Sequence, residues 1–479
     1  MTTHQDTTPT VTSPVTSPVT SPVTPATTPS PGRVTVIGTG YLGATHAACL
    51  AELGYEVLGL DTDPAKVADL AAGRLPFYEP GLAELVEKHT AAGRLAFTTD
   101  PRAAAEFADL HFVCVGTPQR RDSMAADTSH VTAAVSALVP HLRRDALLVG
   151  KSTVPVGTAA ALQSLAADVA PDGVEVAVAW NPEFLREGRA VEDTLRPDRI
   201  VVGVTDPLHE KVLRELYAPV VDAGVPFVVT DLATSELVKV AANAFLATKI
   251  SFANAIAELC DAAGADVVAL TDAIGRDARI GHQFLSAGLG FGGGCLPKDI
   301  RALMARAGEL GVDEALTFLR EVDAINMRRR SRTVALAVEE CGGSVLGRRI
   351  AVLGAAFKPG TDDVRDSPAL NVAAQLQLQG AHVRVHDPRA NATAARTFPT
   401  LGYADTVEEA VTGADLVLHL TEWEEFRALD PAALEPARRV VVDGRNALDA
   451  DRWSAAGWRV RGLGRPAVPA RAATAPVSG

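Results

Sequence analysis

One cysteine of this chain stands in a glycine-dense run, Gly288-Leu289-Gly290-Phe291-Gly292-Gly293-Gly294-Cys295, and Leu296-Pro297-Lys298-Asp299 follow at once. Glycines let a backbone take conformations closed to other residues and let a ligand come close. A thiol presented in this way, within four residues of a lysine and an aspartate, has the setting of a nucleophile. The competing reading is a turn over a buried, inert thiol, the usual fate of a free cysteine. What lies on either side decides between them.

The nearest support is a proline-free segment. Residues 234–263 carry one long helical pattern, with Lys239 and Asn243 four apart on one face of an apolar stretch. A lysine so placed either snorkels to solvent or faces a site together with its asparagine. A cation beside a thiol lowers its pKa and stabilises a developing oxyanion, so Lys239 is the candidate partner of Cys295. Asp299, with a water, is a candidate base or water orienter. Helices of this length commonly bridge two domains and make dimer contacts. Cys260, between Leu259 and Ala262, reads as core.

Ahead of that helix the chain reads as a βα series. Residues 34–37 form a short apolar strand, Gly38-Thr39-Gly40-Tyr41-Leu42-Gly43 follows, a helical run covers 44–53, and a second strand over 54–60 ends in Asp61. This is a dinucleotide fingerprint in its required setting. Gly38 makes the turn, Gly40 lets a pyrophosphate approach, and Gly43 lets helix and strand pack; the helix N-terminus faces the phosphates. Asp61 stands where an acid holds ribose hydroxyls and disfavours a 2′-phosphate, so the cofactor expected is NAD rather than NADP.

Strands over 110–115, 146–149 and 174–180 end in Gly116-Thr117-Pro118, in Lys151-Ser152-Thr153, and in Asn181-Pro182-Glu183-Phe184-Leu185-Arg186-Glu187-Gly188. Ligands of open α/β sheets bind at the carboxyl ends of strands, which makes Thr117, Thr153, Glu183 and Glu187 site candidates. Helix capping is the plain alternative for the threonines. A solvated pair is the alternative for the glutamates, which share a face if their segment is helical. Strands over 200–204 and 225–229 follow.

Past the cysteine loop, helix runs to about residue 338. A second α/β unit starts near 347, with strands over 350–353, 383–386, 416–419 and 440–442. Lys358 and Arg365 follow its first strand, either as surface charge or where a nucleotide diphosphate could sit. The fold class expected is therefore α/β: two Rossmann-like doubly wound domains joined by a central all-α domain with a long connecting helix. The boundaries read are 33–230, 231–345 and 346–465. A Thr/Pro-rich tail over 1–32 and a Pro/Ala tail over 466–479 are expected to be disordered.

Bulk properties narrow the function. At 479 residues the chain exceeds one ordinary core. A net charge of −13 argues against nucleic acid or an anionic membrane as partner, while leaving room for an anionic small substrate in a locally basic site. The five cysteines, Cys49, Cys114, Cys260, Cys295 and Cys341, lack paired spacing. That fits a reduced, cytoplasmic protein, and neither a zinc site nor any other metal is expected. No apolar run approaches the ~18 residues of a membrane span, and the N-terminus has no secretory pattern.

Taken in order, GTGYLG, VGTPQ, KSTVPVGT, NPEFLREG, ELVKVAANAFLA, FGGGCLPKD and FKPGTDDVRDSPA resemble the UDP-glucose/GDP-mannose dehydrogenases, NAD-dependent four-electron oxidases of sugar nucleotides. The match covers about residues 33–465. GLGFGGGCLPKD after DARIG is most similar to the members that act on UDP-glucose; GDP-mannose and UDP-N-acetylmannosamine are the sister substrates.

The resemblance implies an N-terminal NAD domain, a central helical domain that makes a homodimer through the long helix, and a C-terminal UDP-sugar domain. It implies that Cys295 is the nucleophile, that Lys239, Asn243, Asp299 and Thr153 surround the reacting carbon, and that Glu187 assists hydrolysis. NAD would be held by Gly38, Gly40, Tyr41, Leu42, Gly43, Asp61, Lys66, Thr117, Thr153, Glu187, Lys298 and Arg365. The UDP-sugar would be held by Glu183, Phe184, Leu185, Arg186, Glu187, Lys239, Asn243, Phe284, Leu285, Ser286, Ala287, Gly288, Gly292 and Lys358. Two departures from the family pattern bear on the sugar. Residues 119–124 lack the small acidic-glycine run common after VGTP, and Phe284 replaces a common tyrosine.

The implied reaction takes UDP-glucose to UDP-glucuronate with two NAD per sugar. A covalent thiohemiacetal and thioester on Cys295 explain how one site runs two oxidations without losing the aldehyde. A two-electron dehydrogenase of the hydroxyacid type would share the N-terminal fold but have no use for Cys295 or a second α/β unit. A nucleotide-sensing protein would keep the fold without turnover.

Overall fold

The computed structural model describes residues 32–471. Residues 1–31 of the tail read over 1–32, and residues 472–479, lie outside the described residues. The first sheet holds β1 (Arg33–Ile37), β2 (Glu56–Leu60), β3 (Leu95–Thr98), β4 (Leu110–Val113), β5 (Ala146–Gly150), β6 (Val176–Trp180), β7 (Ile200–Gly203) and β8 (Phe227–Thr230), in the order β3-β2-β1-β4-β5-β6-β7-β8. All its pairings are parallel except β6 with β7, which meet antiparallel at Trp180 and Gly203. The central strands are near-continuous apolar runs because helices cover both faces of a parallel sheet; Val34, Val36, Phe112 and Val149 are all buried.

The second sheet holds β9 (Arg349–Leu353), β10 (His382–His386), β11 (Gly402–Tyr403), β12 (Leu416–His419), β13 (Val440–Asp443) and β14 (Arg459–Gly462), all parallel, in the order β11-β10-β9-β12-β13-β14. Its six strands repeat the crossover pattern of the first six positions of the first sheet, and one detail repeats with it. After β2, Asp61 Oδ2 accepts from the Thr39 amide at 2.8 Å. After β10, Asp387 Oδ2 accepts from the Ala355 and Ala356 amides at 2.7 and 3.0 Å and from Trp423 Nε1 at 3.1 Å. Each acid ties down the turn after the first strand of its own sheet.

Between the sheets stand three long helices. The first, Leu232–Ala263, starts on Asp231, whose side chain accepts from the Thr234 amide, and stops at Gly264 in the left-handed region. It packs on the helices Leu296–Glu309 and Thr317–Glu340. The expected unbroken helix to 338 is thus interrupted. Gly311, at φ 73, ends one helix, and a short 3₁₀ turn, Asp313–Leu316, precedes the next.

Three further expectations need correction. The stretch 181–188 is an irregular loop, so Glu183 and Glu187 do not share a helical face; they point to different partners, described below. Residues 466–471 are not a loose tail: Val468 pairs with Val460, Ser454 Oγ donates to the Pro469 carbonyl at 2.6 Å, and Arg471 pairs with Asp451. The helix Leu232–Ala263 is also apolar and long enough by composition to cross a membrane, with a mean hydropathy of 1.3 over its best 18 residues. Here one face, with Glu236, Lys239, Asn243 and Asn254, is buried against protein.

Candidate active site

The fingerprint loop fits a dinucleotide. Gly38 has φ 85, and a Cβ there would meet Val115 at 2.7 Å. A Cβ on Gly43 would fall 1.8 Å from the Gly38 carbonyl oxygen, so strand and helix close on each other only through these glycines. Beside Gly40, in contrast, there is open space within 4 Å. The helix Tyr41–Glu52 begins there with no side chain capping its amides. An open cradle at an uncapped helix N-terminus is what a pyrophosphate needs. Asp61 follows β2 directly and pairs with Lys66 at 3.0 Å. Although burial opposes it, bonds from Asp63, Lys66 and Thr39 hold the Asp61 carboxyl below the usual range.

The cysteine loop is clamped from behind. On the helix Thr317–Glu340 three buried polar residues recur at helical spacing, Asn326, Arg329 and Arg330. Asn326 accepts from the Phe291 amide at 2.7 Å and donates to the Phe291 carbonyl at 3.0 Å. Arg329 Nε donates to the Gly288 carbonyl at 3.0 Å, and Arg330 binds Asp366 at 2.7 Å. From the second sheet, Arg445 reaches the carbonyls of Gly290, Phe357 and Leu420. A Cβ on Gly294 would come within 2.4 Å of Arg365 Cζ, so the run packs directly on the C-terminal unit. Cys295 emerges from it, exposed, as the N-cap of the helix Leu296–Glu309.

Around the thiol the charges are paired. Lys239 Nζ, buried, lies 2.8 Å from Glu183 Oε1. It does not snorkel. Burial opposes its charge, but Glu183, Cys295 and Asp299 outweigh that and hold it above the ordinary lysine range. Asn243 donates to Asp299 Oδ2 at 2.7 Å and Lys298 to Asp299 Oδ1 at 2.6 Å. Asp299 is thereby fixed with donors on both oxygens. The thiol itself is accessible at its surface yet deeply surrounded. Burial first, then Asp299 and Glu183, push it up to about 12, with Lys239 pulling the other way. Lys239 acts in the expected direction, but the ligand-free thiol is protonated at neutral pH.

On the other flank Arg365 Nη2 lies 3.1 Å from Glu187 Oε1 and 2.6 Å from Asp363 Oδ2. Burial, helped by Asp363 and opposed by Arg365 and Lys358, raises Glu187 to about 7. Burial also lowers Lys358, whose nearest charges include Glu187 and Cys295. Lys358 and Arg365 thus stand at the site and not on a remote surface.

Thr117 Oγ1 donates to the Thr153 carbonyl at 2.6 Å, and neither threonine is the N-cap of a helix. Thr153 borders the same small cavity as Lys298 and Asp299. Phe184 lies near two cations, with Arg199 3.9 Å and Lys239 5.7 Å from its ring centroid. Arg186 is taken by Asp193, and the Leu185 amide by Glu183 Oε2. Leu285 and Ala287 turn into the core against Ala253, Ala257 and Cys260, so only their backbone is free to meet a ligand. Phe284, at φ 60, and Ser286 are the accessible side chains of that stretch. Gly288 and Gly292 pack on Gly444 and Asp366. Tyr41 and Leu42 offer amides, but the Tyr41 hydroxyl goes to Glu79.

Sequence reasoning missed Glu79, which is buried and takes the amides of Gly188 and Ala190 at 2.6 and 2.7 Å. It also missed the clamp residues. Asn326, Arg329 and Arg330 at i, i+3 and i+4 were visible as a polar face on an otherwise packed helix.

A dinucleotide cradle facing a cysteine held among a lysine and three carboxylates defines an NAD-dependent dehydrogenase. Residues 32–221 match the NAD binding domain of the UDP-glucose/GDP-mannose dehydrogenase family, 233–328 its central domain and 351–450 its UDP binding domain. UDP-glucose 6-dehydrogenases of Bacillus subtilis and Rhizobium meliloti are 41% and 42% identical over 438 residues, covering 91% of this chain and 98% and 100% of theirs. A UDP-glucose dehydrogenase structure from Pyrobaculum islandicum superposes with a TM-score of 0.83 at 38% identity, over 91% of this chain and 98% of that one. The chain belongs to the UDP-glucose/GDP-mannose dehydrogenase family, and its cofactor is NAD.

Proposed function

We propose that this protein oxidises UDP-glucose to UDP-glucuronate in four electrons, through a covalent intermediate on Cys295. The observation that carries the reading is the placing of Cys295 at a helix N-terminus, acted on by Lys239, Asp299, Glu183 and Glu187 together. Curated relatives of about 40% identity named for UDP-glucose support the sugar. The division of labour is an NAD domain over 33–230, a helical domain over 231–345 and a UDP-sugar domain over 346–465.

Bound NAD supplies the hydride acceptor in both oxidations. Lys239 faces the oxygen that gains negative charge, and Asn243 orients it. Asp299, fixed by Asn243 and Lys298, takes a proton through a water. Since the free thiol is protonated, addition of Sγ to the aldehyde must be coupled to proton loss, with the helix N-terminus and Lys239 favouring the developing thiolate. The thiohemiacetal is oxidised to a thioester, and Glu187 activates the water that releases the carboxylate. The bases that do this work sit on loops and helix ends held by the rigid sheets.

We also read the protein as a cytoplasmic homodimer. Leu237, Phe245, Phe252 and Leu259 lie exposed along one stripe of the long helix, the last three seven residues apart. Such a patch fits a second copy of the same helix. The test of the chemistry is NADH yield on limiting UDP-glucose for the protein and for Cys295→Ser. Two NADH per sugar, with the variant unable to complete turnover, is the expected result. Full two-NADH turnover by the variant would remove Cys295 from the mechanism. Two NADH from GDP-mannose or UDP-N-acetylmannosamine, and none from UDP-glucose, would reassign the sugar.

A further inference from the structure

The four-electron reaction sheds protons. Balanced, one primary alcohol, two NAD⁺ and one water give one carboxylate, two NADH and three protons. Asp299 takes one of these through a water; with sugar and nicotinamide filling the cleft side of the site, a further proton that reaches the Glu183 carboxylate, 2.8 Å from Lys239, faces the protein. Behind Glu183 lies a cavity of about 60 Å³, bordered also by His46, Lys151, Asn181, Arg186 and Asp198. At roughly 10–15 Å³ per water it has room for about four to six. Its wall runs from buried residues, His46, Lys151 and Asn181, to exposed ones, Arg186 and Asp198.

Two groups in that wall lack ordinary partners. Among the described residues neither ring nitrogen of His46 has a hydrogen bond, though the residue is 1% exposed. Lys151 Nζ, 7% exposed, donates to Asn181 Oδ1 at 3.0 Å, with the Asn181 carbonyl at 3.5 Å, and no carboxylate lies within ion-pair distance among the described residues. Tyr217 also donates to Asn181 Oδ1, at 2.7 Å. Buried polar groups find partners, and where protein offers none water serves.

We propose that this cavity is the proton exit of the active site, a water-filled passage from Glu183 past Lys151 and His46 to the surface at Arg186 and Asp198, with Lys151 as the relay. The inference rests on the four-electron reading above. The groups facing Lys151 are His46 from the fingerprint helix, Cys114 beyond β4, Asn181 and Glu183 from the loop after β6, Tyr217, and Lys239 from the long helix. Burial, reinforced by Lys239 and countered by Glu183, brings Lys151 down to about 8, where an amine can pass a proton near neutral pH.

The experiment follows NADH and proton release together in a stopped flow, on the full-length chain with NAD and UDP-glucose, using a pH-indicator dye in weak buffer. In the unaltered protein protons appear in step with NADH. In Lys151→Ala proton release lags NADH and kcat falls by about tenfold at unchanged KM, and ethylamine restores both, a modest share of the ~10²–10⁴-fold typical of acid–base groups. Lys151→Arg keeps a cation and the fold but does not titrate in this range, and is expected to show the same lag. Proton release in step with NADH in the arginine variant overturns the proposal. So does lost activity with a raised KM and no amine rescue, which is the signature of a merely structural lysine. Absence of NADH from every sugar nucleotide in the unaltered protein would instead sink the four-electron reading.

Discussion

Replacing Lys239 by methionine separates two jobs of one side chain. The ammonium is buried 2.8 Å from Glu183, and it is the cation that offsets Asp299, Glu183 and Glu187 at the Cys295 thiol. As an oxyanion donor its loss is worth about 10²–10³ in kcat, or ~2.7–4 kcal/mol of barrier. As half of a buried pair its loss leaves a carboxylate uncompensated, at about 3–5 kcal/mol of stability. Glu183 borders a cavity with room for water, so the lower end applies. The assay pairs thermal unfolding with NADH production, for Lys239→Met, Glu183→Gln and the double variant. In the double variant the buried charge is gone, so stability should return to within about 1 kcal/mol of the unaltered protein while the rate stays depressed. If the double variant regains the rate, Lys239 serves only to neutralise Glu183. If Lys239→Met alone keeps kcat within about threefold, the assignment to the developing oxyanion is wrong.

Glu187, raised to about 7, must be ionised to activate water, so thioester hydrolysis should fall as pH drops through about 7; single-turnover hydrolysis against pH reads this, and a limb that persists in Glu187→Gln belongs to another group. Its stability contribution has the opposite sign. The unfolded carboxyl ionises near the ordinary glutamate value while the folded one resists, so stability drops between that value and about pH 7, and Glu187→Gln should flatten thermal unfolding across this window. Asn326→Leu strands the buried Phe291 amide, at about 1–3 kcal/mol, and leaves the Phe291 carbonyl only Arg330 Nη2 at 3.4 Å; a lowered melting point with faster hydrogen exchange at residues 288–295 is expected, and unchanged exchange there would show that the clamp does not order the loop. Phe245→Glu with Phe252→Glu puts charge in the exposed stripe of the long helix. Sedimentation should then report a monomer in place of the proposed dimer, and an unchanged mass would move the interface elsewhere.

Much of this protein was legible from local pattern. The fingerprint Gly38 to Gly43 with Asp61 is a contiguous unit whose spacing states its own geometry, and Gly38, Gly40 and Gly43 take the expected roles of turn, open cradle and close packing. The long helix was readable because thirty-odd residues without proline hold one period, and its bounds differ by two residues from those read. The candidate cysteine, lysine, asparagine and aspartate could be named because each chemistry demands those residue types.

What the sequence could not decide is which groups meet across distant segments. Glu183 and Glu187 are four apart in the chain, but in an irregular loop one turns to Lys239 and the other to Arg365 from the second sheet. Thr117 and Thr153 cap nothing and bond to each other across two strand ends. The thiol's protonation is likewise a property of the assembled site: a nearby lysine alone predicts a lowered pKa, whereas burial and surrounding carboxylates raise it. The helix period and the glycine turn are set by bonds between near neighbours, so composition and spacing determine them. Desolvation and charge depend on everything within several ångströms, and only the folded chain brings Asn326, Arg365 and Arg445 to the back of the cysteine loop.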